Sequence, residues 1–179
     1  MCNHSSPASR RQVLGRMLAG IAALGLGSGL RMARADAAQV TLPPPGPRDT
    51  CPVCGMFVAK YPEWVTTVQY DDGKADHFDG PKDFFKYLAD LEKYAPGYSL
   101  ERITGMGVTE YYGLKLVDAR QAIYVLGSDV LGPMGHELVP LMNDADAADF
   151  IKDHAGKKLV HFAEVTPKML AGLDAGRFE

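Results

Sequence analysis

Cysteine is scarce in this chain: three occur in 179 residues, and Cys2 stands ahead of an N-terminal apolar run. Only Cys51 and Cys54 remain for the body of the protein. That excludes a disulfide-stapled scaffold, and a four-thiolate zinc site would need a second pair. The histidines beyond the N-terminal segment, His77, His136, His154 and His161, never fall at H-x₃₋₅-H spacing, so a thiolate–imidazole zinc site is weakly supported. Apolar runs long enough for a comfortable membrane span are missing as well. So are a phosphate-cradling glycine loop, a Ser-His-Asp ordering and a pair of catalytic carboxylates.

The N-terminal segment has a different composition from the rest. Arg10 and Arg11 precede a short Ala/Gly-rich apolar run, and Ala33-Arg34-Ala35 and Ala35-Asp36-Ala37 both fit an A-x-A cleavage pattern. Residues 1–35 resemble a twin-arginine export signal, with Val13 where Phe is more usual. Cleavage near Ala35 or Ala37 and a periplasmic location are the expectation, the alternative being an uncleaved membrane anchor. Removing 1–35 takes Arg10, Arg11, Arg16, Arg31 and Arg34 and no acid, leaving 19 − 5 = 14 basic against 22 acidic side chains, a balance of −8. A basic patch for nucleic acid or an anionic membrane is then absent. Cys2 precedes the apolar run, so a lipid anchor and stable membrane attachment are not expected.

Residues 36–49, containing Pro-Pro-Pro-Gly-Pro, read as an extended linker. Beyond it the patterning predicts an α+β fold of two small ββαβ-type lobes, 50–118 and 119–179. In the first, Trp64–Tyr70 is a strand and Asp71–Lys74 a tight Asp-Gly turn. Ala75–Phe78 is the returning strand, and a helix starts at Pro81 behind Asp79 or Gly80 and ends before Pro96. Val108–Tyr112 is a third strand. In the second lobe, Gln121–Leu126 and His136–Met142 are strands, and Asn143 caps a helix reaching about Ala155. Leu159–Val165 is a further strand, and Thr166-Pro167 opens a short final helix. The halves share element order, with little identity.

The chemistry centres on Cys51-Pro-Val-Cys54-Gly55-Met56. A thioredoxin-like reading requires a strand before the pair and a helix after it; a proline linker precedes and Pro62 follows. A plain disulfide would close a very small loop and remove little unfolded-state entropy. Downstream, Met134-Gly135-His136 repeats the layout of Cys54-Gly55-Met56. In extended chain, residues i and i+2 project to one side, so each tripeptide is a candidate two-toothed clip. Thiolate, thioether and imidazole together prefer Cu(I) over magnesium or calcium. Met106, Met142 and Met169 read as ordinary gap-filling methionines, His77 as a polar residue at a strand end, and His161 as structural.

Cys54-Gly-Met-Phe-Val58, His77-Phe-Asp79 and Gly132-Pro-Met-Gly-His-Glu-Leu-Val-Pro140 resemble the NosL family over roughly residues 50–165. Those proteins are copper chaperones serving nitrous oxide reductase maturation. The resemblance implies a monomeric periplasmic Cu(I) binder, not an enzyme, with two ββαβ-type lobes related in architecture to organomercurial lyase. It implies apo-nitrous oxide reductase as recipient, for its copper–sulfur centre, with other copper-delivery accessory proteins as further partners. By position it implies Cys54, Met134 and His136 as metal ligands and Met56 as a further one; Cys51 is a ligand, a redox partner or a spare. Many members are lipoproteins, and this chain departs from them there. Three alternatives stay open: a thiol–disulfide oxidoreductase maintaining an exported copper protein, a copper storage or scavenging protein, and, by fold analogy, an organomercurial-lyase-like enzyme. The last is disfavoured because a constellation of several cysteines with an acid is not evident in the sequence.

Overall fold

A computed structural model describes residues 35–178. Residues 1–34 of the expected export signal lie outside them. Among the described residues no helix is long and apolar enough to cross a membrane.

The β-branched and aromatic run forms β1 (Thr66–Tyr70), which returns through a tight turn with Gly73 at φ +85° into β2 (Ala75–Phe78). Trp64, expected at the head of that strand, lies instead in a 3-10 turn, Pro62–Trp64. Its indole packs with Ile123, Val125 and Phe150. Helix α1 (Pro81–Ala89) begins at Pro81 as expected, behind Gly80, and a single turn, α2 (Leu91–Tyr94), follows with Asp90 as its cap. Strand β3 (Ile103–Thr109) starts earlier and ends earlier than the apolar pattern suggested. The Glu110 side chain accepts the Tyr112 and Lys115 amides and folds the chain into a turn there. A short β4 (Leu116–Asp118) that the patterning did not suggest completes an antiparallel sheet in the order β2-β1-β3-β4.

The second sheet has the order β6-β5-β7, also antiparallel. Strand β5 (Ile123–Gly132) runs ten residues, with Gly127 at φ +74° inside a register shift, and β6 (Gly135–Leu141) returns from it. Asn143 caps α3 (Asp144–Asp153) by accepting the Asp146 amide at 2.9 Å. Strand β7 (Lys158–His161) stops short of the expected Val165, because the Glu164 carboxylate takes the His161 amide at 2.7 Å and winds the chain into a 3-10 turn. Thr166 caps α4 (Pro167–Asp174). Each sheet thus places its first strand centrally, the hairpin partner on one side and the strand after the helix on the other. The two halves repeat in topology as well as in order.

The segment 36–49 holds no helix or strand, turns at Pro47-Arg48, and is pinned at its first residues. The Ala37 amide donates to the Met142 carbonyl at 2.9 Å, Gln39 bridges Val117, and the Val40 amide donates to the Leu116 carbonyl. The two sheets share one buried apolar cluster. Val68 and Val108 from the first join Tyr124, Leu126, Leu138 and Val160 from the second. Phe85 of α1 sits at the junction, 5.1 Å from Tyr124 and 5.3 Å from Phe162 between ring centroids.

Candidate metal centre

The cysteine loop is closed on itself. Thr50 and Phe57 form an antiparallel bridge, the Cys51 amide donates to the Met56 carbonyl at 2.9 Å, and the Gly55 amide to the Cys51 carbonyl at 2.8 Å. Gly55 takes φ +79°, a left-handed step that a side chain would strain. Cys54-Gly55-Met56 is therefore a turn and not the extended clip expected from its sequence. The same correction applies downstream. Gly132 and Gly135 pair across a two-residue turn, Pro133-Met134, with Gly135 at φ +83°. That geometry is a tight two-residue hairpin.

The cysteine loop faces the start of α1. The Cys54 thiol donates to Asp79 Oδ1 at 3.2 Å and the Cys51 thiol to Asp83 Oδ2 at 3.5 Å. One ligating atom from each of Cys51, Cys54, Asp79 and Asp83 lies within 4.8 Å of all the others. Three of the four residues are buried and Cys54 is half-buried. Asp79 Oδ2 is buried and has no hydrogen-bond partner. An orphaned carboxylate oxygen beside two thiols is an acceptor left for a cation or a proton. Burial pushes the Cys54 thiol up to about 12, with the Asp79 hydrogen bond adding to the effect. It raises Cys51 further, and the nearby Asp83 and Asp79 charges act in the same direction.

Asp79 and Asp83 were not singled out as site residues from the sequence. The signal available was two aspartates flanking an expected helix start, Asp79 just before the Gly80 cap and Asp83 in the first turn.

Met134 occupies the turn between β5 and β6 and is 47% exposed. His136, one residue into β6, is half-buried, its ring 4.8 Å from that of Phe178 and its Nδ1 buried without a partner. Met56 is half-buried. The structure gathers Cys51 and Cys54 with the two aspartates, and His136 is outside that 4.8 Å group. The Met134 turn reaches the same helix end by another route: its carbonyl accepts from Lys82 Nζ at 2.9 Å. Beside it, Glu137 Oε2 accepts the Lys82 amide at 2.8 Å, filling one of the open donors at the start of α1. Gly80 permits this approach, since a Cβ there would stand 2.6 Å from Glu137 Oε1. Burial pushes the Glu137 carboxyl up to about 8. His77, read as a strand-end residue, is buried at the centre of β2, with Nδ1 3.0 Å from Thr67 Oγ1.

The family model for NosL matches residues 44–170. The chain belongs to the NosL family. The structure of the copper chaperone NosL from Shewanella denitrificans matches at TM-score 0.60 and 24% identity, covering 72% of this chain and 97% of that one. At that identity the likeness shows a shared fold, and it agrees with the α+β architecture of two antiparallel sheets. No curated protein matches the chain. In this chain the cysteine loop and the Met134 hairpin each contact the start of α1.

Proposed function

We propose that this NosL-family protein is a copper-binding chaperone and not an enzyme. In this reading it carries Cu(I) on a site anchored by Cys54 and hands the ion to apo-nitrous oxide reductase for its copper–sulfur centre. The observation that carries the reading is the convergence of Cys51 and Cys54 on the start of α1, beside an unpartnered buried carboxylate oxygen. The solved relative described as a copper chaperone supports it. Two thiols supply the soft donors that favour Cu(I).

The thiols are neutral at physiological pH, held so by burial and by the carboxylates they donate to. Binding must therefore displace protons, and Asp79 and Asp83 stand where those protons would leave. Met134, exposed at the hairpin tip, and His136 and Met56 are the further donors in this reading; an exposed thioether suits ligand exchange with a recipient. The oxidoreductase alternative needs a thiolate poised by a lowered pKa, and burial acts on both thiols in the opposite direction.

We infer a periplasmic, monomeric mature protein exported by the twin-arginine route. Supporting cleavage after Ala35 over Ala37 is the buried position of Ala37 and its hydrogen bond to Met142, both lost if the chain began at Ala38. Other copper-delivery accessory proteins are further partners in this reading.

Anaerobic titration of reduced protein with Cu(I) against a chromophoric competitor tests the site. Cys54→Ser is expected to lower affinity by several orders of magnitude and Met134→Leu by roughly ten-fold, the scale of losing a ligand or its support. Parent-like binding by Cys54→Ser would sink the assignment. Transfer from loaded protein to apo-nitrous oxide reductase separates a chaperone from a storage protein.

A further inference from the structure

Lys82 is the only buried lysine or arginine among the described residues, at 2% exposure. A cation in that position is costly unless its hydrogens are satisfied. Its Nζ donates to the Met134 carbonyl at 2.9 Å and lies 3.3 Å from Asp174 Oδ1 of α4. Its own amide donates to Glu137 Oε2 of β6. In sequence it stands between Asp79, just ahead of α1, and Asp83, in its first turn, the two carboxylates that meet the thiols.

Beyond the strand pairing of Gly132 with Gly135, the tip stands open. Met134 is 47% exposed, and nothing lies within 4 Å of where a Gly135 Cβ would be. An apolar side chain at position 82 could fill the same space without any donor for a turn carbonyl. We propose that Lys82 is a positioning residue that fixes the Met134 turn relative to the Cys51–Cys54–Asp79–Asp83 group. The turn is then set before the metal arrives, so binding does not have to order it. The link to copper rests on the reading of Met134 as a ligand given above; the link between Lys82 and the turn does not.

Amide hydrogen exchange on the metal-free protein tests the positioning directly. Lys82→Met should speed exchange at Leu131, Gly132, Met134 and Gly135 by on the order of 10-fold, the worth of one charge-assisted hydrogen bond. Exchange across Cys51–Val58 should not change. Parent-like exchange at the turn overturns the proposal, and so does equal acceleration everywhere. Lys82→Leu, which also lacks a donor, is the second variant should the methionine not be tolerated.

Cu(I) affinities of the parent, Met134→Leu, Lys82→Met and the double variant give an independent readout. Lys82→Met should bind roughly 10-fold more weakly than the parent, with Met134→Leu adding little on top, because the thioether is no longer held in place. Independent, additive losses overturn the positioning role. If Met134→Leu alone binds as the parent does, the ligand reading of Met134 fails, and exchange at the turn still judges Lys82.

Discussion

Glu137 shows how much one residue's surroundings change its chemistry. Its carboxyl is enclosed between α1 and β6, and burial raises it from the ordinary 4.5 to about 8. A buried acid with a raised value holds its proton more tightly in the folded state than in the unfolded one. Its contribution to stability is therefore full below about 4.5 and is lost progressively as pH rises towards about 8. The swing is on the order of a few kcal/mol. Glu137→Gln keeps the volume and the acceptor for the Lys82 amide. Urea midpoints taken at pH 5 and pH 8.5 should fall further in the parent than in this variant. Equal slopes in the two proteins would mean that the carboxyl is not held neutral. The same enclosure explains why the thiols are protonated, since burial is the leading cause at all three groups.

At the scale of elements, the start of α1 is the organising feature. Asp79 and Asp83 meet the cysteine loop on one side, and Gly80 and Lys82 meet β6 and the Met134 turn on the other. Gly80 has extended backbone angles that any residue adopts, so what its replacement would cost is space. Gly80→Ala puts a methyl against Glu137 Oε1 and should destabilise the fold by about 1–3 kcal/mol, the usual penalty for overpacking. The measurement is chemical denaturation, accompanied by Cu(I) affinity. A variant with parent-like stability would show that α1 and β6 are less tightly apposed than these distances require.

Much of this element layout was legible in the sequence. The returning strand Ala75–Phe78, the helix opening at Pro81, the Asn143 cap and the final helix at Pro167 follow from residues adjacent to the features they specify. Misplaced boundaries have local polar causes that apolar patterning does not register. Glu110 ends β3 early, and Glu164 ends β7 early, each by capturing backbone amides. The extended clips failed for a conformational reason. The i, i+2 argument assumes extended chain, whereas the glycine at the centre of each tripeptide takes positive φ and turns it.

Across the whole molecule, the two topologically repeated halves are joined by a continuous apolar cluster, with Phe85 at the seam. Unfolding of the described region should accordingly be a single cooperative transition. Phe85→Ala should lower stability by about 3–5 kcal/mol, as for other buried phenylalanines, and the loss should appear equally in both sheets. Following circular dichroism alongside Trp64 fluorescence checks this, because Trp64 packs against the second sheet. Two separated transitions would show that the halves are independent.

Residue order alone settles the α+β class, the repeated element order and the family, through the cysteine loop and the Gly132–Pro140 stretch. These depend on periodicity, caps and turns acting over a few neighbouring residues, or on motifs that are already sequence. Only the tertiary structure decided which groups meet the thiols. Asp79 is 25 residues from Cys54, and Asp83 is 32 from Cys51. Lys82 is 52 residues from the carbonyl it holds. Such pairings arise when separate elements pack and exclude water, and it is that exclusion which raises the thiols further and leaves Asp79 with an open oxygen. Local propensity carries no trace of it.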